Sequence, residues 1–111
     1  MQEALETARR IYAKHDFDVF VEILVESPRA VLLLLGVFYD RADPADAQRA
    51  ADWYAEMRTA MVEAGYPPYR ETTQSSPHVF DQNPVTRKFL SSIKNALDPN
   101  GVLAPGRYGI K

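Results

Sequence analysis

At 111 residues the chain has room for one hydrophobic core and not for two. Its 46% hydrophobic and 25% charged residues are those of an ordinary globular domain, neither disordered nor membranous. Thirteen basic against fifteen acidic residues give a net charge of −2, which argues against nucleic acid, and the absence of cysteine excludes disulfides, thiolate metal sites, attached c-type haem and a cysteine nucleophile.

The opening "MQEALETARR" is charged and helical in pattern, not a secretory signal. Over residues 3 to 15, Ala4, Leu5, Ala8, Ile11 and Tyr12 share one helical face, with Glu3, Glu6, Arg9 and Arg10 largely opposite. From Asp18 the period changes to two. Val19, Val21, Ile23 and Val25 alternate with Phe20, Glu22, Leu24 and Glu26, which predicts a strand. "SPR" is a turn, and the apolar run of residues 30 to 39 predicts a second strand buried on both faces, too short to cross a bilayer. The two strands pair naturally as a hairpin.

Asp43 then offers an N-cap, Pro44 a first helical position and Asp46 an acidic first turn. Ala47, Ala50, Ala51, Tyr54, Met57, Met61 and Ala64 carry the apolar stripe to Gly65, a left-handed stop, with Trp53 flanking the stripe. Asn83 and Pro84 repeat the cap-then-proline start, and Val85, Phe89, Ile93, Ala96 and Leu97 form a second stripe. "DPNG" at residues 98 to 101 fits a type I turn before a turn-rich tail.

This order predicts an α+β fold, helices packed on an antiparallel sheet. A two-stranded hairpin is marginal alone, so further strands are expected from residues 66 to 73, from another copy or from additional protein.

Between the second and third helices lies "GYPPYR". Pro67 and Pro68 fix two φ angles and so aim the next two residues, Tyr69 and Arg70. A phenol hydroxyl and a guanidinium are both donors at neutral pH and together can hold an oxyanion. An ordinary edge strand with a surface arginine is the plain alternative. Neighbours on an ideal strand point to opposite faces, so joint binding requires the backbone to depart from strand geometry. Glu22 interrupts an apolar strand and is open to three readings: an ion pair, a polar group on a ligand cavity, or a solvent-facing residue. His15 and His78 lack metal-ligand spacing and suit capping or surface roles, so no metal site is expected. No P-loop, GxGxxG or GxSxG is present.

The C-terminal "SSIKNALDPNGVLAPGRYGI" resembles the closing segment of FAD-linked oxidases. Taken with "FDVFVEILVES", "VFYDRADPADAQRA" and "EAGYPPYR", the whole chain resembles the last hundred or so residues of one family. That family is the vanillyl-alcohol oxidases and para-cresol methylhydroxylases (4-cresol dehydrogenases), with their eugenol hydroxylase-like members. The resemblance implies an enzyme that oxidises para-alkylphenols with FAD, by hydride transfer from the substrate phenolate to flavin through a quinone methide. It implies that residues 1–83 are the later part of a substrate cap domain with ferredoxin-like halves. Residues 84–111 would be a helix and tail packing on an FAD-binding domain.

By the same resemblance Tyr69 and Arg70 hold the phenolic oxygen, Arg70 also lies near the flavin, and Glu22 matches an active-site carboxylate across a small gap in the following turn. The partners implied are a phenolic substrate, the FAD-binding domain, a homo-oligomer and, in the full enzyme, a c-type cytochrome subunit. Neither nucleic acid nor a membrane is expected, and a soluble protein of the bacterial cytoplasm or periplasm fits. The FAD-binding domain, a second phenol-binding tyrosine and the residue that carries flavin covalently in many members belong upstream in that family. The chain therefore reads as part of a longer enzyme, inactive alone and binding no FAD tightly, or as a gene remnant. The competing class is a non-enzymatic α+β module that pairs its sheet with another copy.

Overall fold

The computed structural model describes residues 1–70 and 83–106. They form helix α1 (Gln2–Lys14), strands β1 (Phe20–Ser27) and β2 (Ala30–Gly36), helix α2 (Pro44–Glu63) and helix α3 (Pro84–Leu97). This is the α+β fold expected. His78 lies outside the described residues, as do residues 71 to 73 of the segment from which a further strand was expected. The chain divides into two compact units, Met1–Pro68 and Tyr69–Lys111.

In the first unit, β1 and β2 pair antiparallel as a two-stranded sheet, with Val21 opposite Leu35, Glu22 opposite Leu34 and Ile23 opposite Leu33. The register shifts between Val25 and Ser27, which leaves Glu26 as the extra residue of a bulge at the turn. Side chains alternate faces along a strand. Val21, Leu33 and Leu35 therefore point together, against a core of Ala4, Ala8, Ile11 and Tyr12 from α1 with Trp53, Met57 and Met61 from α2. Burying each of the larger members stabilises the unit by about 1.5–3 kcal/mol.

Two expectations are corrected here. β2 is not buried on both faces: Leu34 stays exposed because α1 and α2 cover only one side of the hairpin, and Val31, on the covered side but next to the turn, is exposed as well. On α2 the buried stripe is Ala50, Trp53, Met57 and Met61, with Trp53 4% exposed and Tyr54 44% exposed. Both phases fit a 3.6-residue period. The Trp53 phase wins because its ring packs on Tyr12 at 5.1 Å and on Phe17 at 6.4 Å between centroids.

The helix ends explain how the chain turns. Asp43 caps α2 by accepting from the Ala45 amide, and Asn83 caps α3 by accepting from the Thr86 amide. At the far end of α2, Tyr66 N–H donates to Met61 C=O and Gly65 N–H to Val62 C=O, the paired bonds of a Schellman stop. Gly65 takes the left-handed φ of 84° that this stop requires. α1 ends the same way, with Phe17 N–H donating to Tyr12 C=O, but the left-handed position is filled by Asp16 at φ 54°.

In the second unit, α3 buries none of its residues, and its apolar stripe of Val85, Phe89, Ile93 and Leu97 is exposed. Only Asp98 is buried among the described residues there. Its carboxylate accepts from Lys94 and from the amides of Val102 and Leu103. Gly101 N–H donates to Asp98 C=O, closing the turn that "DPNG" predicts.

Candidate functional site

The stop at Gly65 and the prolines at 67 and 68 deliver the chain into a bend, not a strand, at Tyr69 and Arg70. The two side chains consequently do not diverge to opposite faces. The Arg70 guanidinium lies beside the Tyr69 ring, its Cζ 5.4 Å from the ring centroid. A cation over an aromatic ring at an exposed site is worth about 0.5–1 kcal/mol, enough to bias the pair toward one arrangement. Tyr69 is 62% exposed and Arg70 is exposed, so both donors face outward. Chemically, this is a planar cation and a hydroxyl at one accessible place, a donor set suited to an oxyanion on an aromatic or otherwise flat ligand.

Glu22 occupies the first unit, on the face of the hairpin turned away from the helices. Its strand neighbours on that face are Phe20 and Leu24, and Leu34 stands directly opposite. No ion pair among the described residues takes up its carboxylate. Glu22 is exposed there, a carboxylate on an open, largely apolar surface. Sequence reasoning did not single out the residues around it. The signal was present in the alternation of β1, but identifying the partners across the hairpin required the register.

His15 ends α1, and its Nε2 lies 2.8 Å from Glu56 Oε2. Lys14 Nζ donates to both oxygens of the same carboxylate. Lys14 first, and His15 second, hold the Glu56 carboxyl below its ordinary range. His15 and Glu56 border an open groove of about 580 Å³ lined also by Asp52, Thr59 and Glu63. Three carboxylates make the groove unsuited to a dinucleotide's pyrophosphate. Among the described residues no group of three histidine or acidic side chains is arranged to hold a metal ion. No helix among them is long and apolar enough to cross a membrane.

Comparison with known proteins gives a consistent result. The family model described as FAD linked oxidases, C-terminal domain, matches residues 2–108. The chain is 38% identical over 104 residues to the 4-cresol dehydrogenase [hydroxylating] flavoprotein subunit of Pseudomonas putida, covering 93% of this chain and 20% of that protein. It is 29% identical over 108 residues to 1'-carboxy-chondrochloren decarboxylase of Chondromyces crocatus, covering 97% of this chain and 20% of that one. The chain thus spans about a fifth of the length of these curated relatives. No solved structure matches.

Proposed function

The chain belongs to the family of FAD linked oxidases, C-terminal domain, and we propose that it is the substrate-binding portion of a flavoprotein that oxidises para-alkylphenols. The observation that carries this reading is the outward-facing Tyr69–Arg70 pair, held side by side at a bend. The identity to a 4-cresol dehydrogenase flavoprotein subunit supports the choice of ligand.

The proposed chemistry starts from acidity. A free phenol has a pKa of about 10 and is almost wholly neutral at pH 7. A guanidinium and a hydroxyl donor placed at its oxygen favour the anion. The phenolate pushes electron density through the ring to the para carbon, which weakens the C–H bond of the substituent there. FAD, held by the rest of a longer enzyme, supplies the acceptor for the hydride. In this scheme Tyr69 and Arg70 hold the phenolate oxygen, Arg70 also meets the flavin, and Glu22 is the polar group at the reacting carbon.

The second relative is by its name a decarboxylase. A partner subunit for electrons is proposed on the same footing, since the first relative is by its name one subunit of its enzyme.

The test is oxidation of a 4-alkylphenol by the FAD-loaded protein expressed from the complete reading frame. Turnover that depends on Arg70 supports the reading. No turnover of any para-alkylphenol, with FAD bound, would sink it.

A further inference from the structure

We propose that Asn100 is a site of spontaneous covalent modification, converted to aspartate or isoaspartate at a rate set by the turn that Asp98 holds closed. Neither flavin nor phenol enters into it.

The reacting groups are neighbours in the chain. The side-chain amide of Asn100 offers an electrophilic Cγ, and the backbone nitrogen of Gly101 lies within reach of it to close a cyclic imide. Asparagine is one of the thermolabile residue types. Gly101 has no side chain to crowd the attack, nothing stands within 4 Å of where its Cβ would be, and both residues are exposed to water. The chain's other two asparagines lack such a neighbour. Asn83 precedes Pro84, which has no N–H, and Asn95 lies inside α3, where the helix fixes the backbone. In the reaction the Gly101 nitrogen gives its proton to hydroxide and bonds to Cγ. The Cγ–Nδ2 bond breaks, and the leaving nitrogen takes a proton from water and departs as ammonia. Water then opens the imide at either carbonyl, giving aspartate or isoaspartate. Both products carry a new negative charge, and isoaspartate also lengthens the main chain by one carbon.

The turn restrains the nucleophile. Gly101 N–H donates to Asp98 C=O at 3.0 Å, which engages the nitrogen away from Cγ, and Gly101 is held at a left-handed φ of 65°. The buried Asp98 carboxylate fixes the residues beyond, accepting from the Val102 amide at 3.0 Å and the Leu103 amide at 2.9 Å. Lys94 donates to that carboxylate and to Leu103 C=O. Attack requires this local structure to open, and every bond that must break lowers the open population. Hydrogen bonds to an ionised group are the stronger ones, so the Asp98 carboxylate is the main lock. Once isoaspartate forms, the added carbon displaces Gly101 N–H from Asp98 C=O, and the turn no longer closes as before.

The test incubates the 111-residue chain in mildly alkaline buffer, folded or unfolded in urea. Mass spectrometry reads the peptide that contains Asn100, with the isoaspartate form separated by chromatography. The unfolded chain should convert at Asn100 at least about tenfold faster than the folded one. Asp98→Ala should recover most of that difference while α3 keeps its helical circular dichroism. Lys94→Ala, which leaves the carboxylate in place, should fall between the two. Asn100→Gln should abolish the early charge change. Equal rates in the folded and unfolded chain overturn the lock, as does an Asp98→Ala rate no higher than the parent's. Conversion confined to Asn83 or Asn95 overturns the site itself.

Discussion

The hydroxyl of buried Tyr12 donates to the carbonyl oxygen of Gly36 across 2.7 Å. The Phe20 carbonyl, its cross-strand partner, is equally near. One phenol thus ties α1 to both strands at the open end of the hairpin, where the sheet is otherwise free to splay.

Tyr12→Phe should therefore destabilise the first unit by about 1–3 kcal/mol, because it removes the donor and leaves carbonyls unsatisfied in the core. Urea unfolding followed by circular dichroism measures this. A second reading comes from pH. Burial pushes the Tyr12 hydroxyl above the usual phenol range. The folded chain then keeps a proton that the unfolded chain has released, so stability falls as pH rises above about 10. That alkaline loss should be smaller in Tyr12→Phe. An unchanged urea midpoint would refute the tie.

Asp16 holds a left-handed φ of 54° where Gly65 serves the equivalent stop on α2. A left-handed residue with a Cβ costs about 1–2 kcal/mol, eased for aspartate. Its ion pair with Arg49, at 3.9 Å and with the aspartate side chain fully exposed, offsets little of that. Asp16→Gly should raise the thermal midpoint, with a gain of up to about 1 kcal/mol, and Gly65→Ala should lower it by a comparable amount. A fall in the midpoint of Asp16→Gly would show that the aspartate makes a contact worth more than its strain.

Asp98 links the end of α3 to the tail through Lys94 and the Val102 and Leu103 amides, and these bonds, Lys94 foremost, hold its carboxyl below the usual range. A depressed carboxyl contributes stability that is complete above its unfolded pKa of about 3.9 and is lost as pH falls through the lower folded value. The amide resonances of Val102 and Leu103 should hold their positions from neutrality down to about pH 4 and move together below it. In Asp98→Asn that acid transition should vanish. Movement between about pH 5 and 7 in the parent chain would contradict the assignment.

These ties show what pattern alone could and could not reveal. The caps at Asp43 and Asn83, the stop at Gly65 and the hairpin were legible, because each depends on residues within a few positions of one another. Trp53 was misjudged since two phases of the α2 stripe suit the helix equally, and Tyr12 and Phe17 decide between them from far away in sequence. The indole nitrogen of Trp53 is buried without a hydrogen-bond partner among the described residues, a cost that no periodicity reports. The second strand looked fully buried because composition does not say how many faces a chain can cover with its own helices. As for the site, the pairing of Tyr69 with Arg70 was visible in adjacency and in the two prolines. The apolar ring around Glu22 was not, since it exists only once β1 is set against β2.

At Arg70, charge and shape can be separated. In the FAD-loaded enzyme, Arg70→Lys keeps a cation near Tyr69 but loses the planar fork and the stacking face. Removing a donor from a preorganised oxyanion site typically costs about 2.7–4 kcal/mol, roughly 10²–10³ in rate. Arg70→Ala should reach that range with a 4-alkylphenol at about pH 7, and Arg70→Lys should lie between it and the wild type. Tyr69→Phe should cost less, since it removes one hydroxyl and leaves the cation. The pH profile carries the mechanism. If the pair's task is to make phenolate, the variants should regain activity as pH rises toward about 10, where solvent supplies the anion, and the gap to wild type should close. A gap constant across pH would mean that Arg70 orients or stabilises something other than the phenol oxygen. Full activity of Arg70→Ala at neutral pH would remove Arg70 from the reaction altogether.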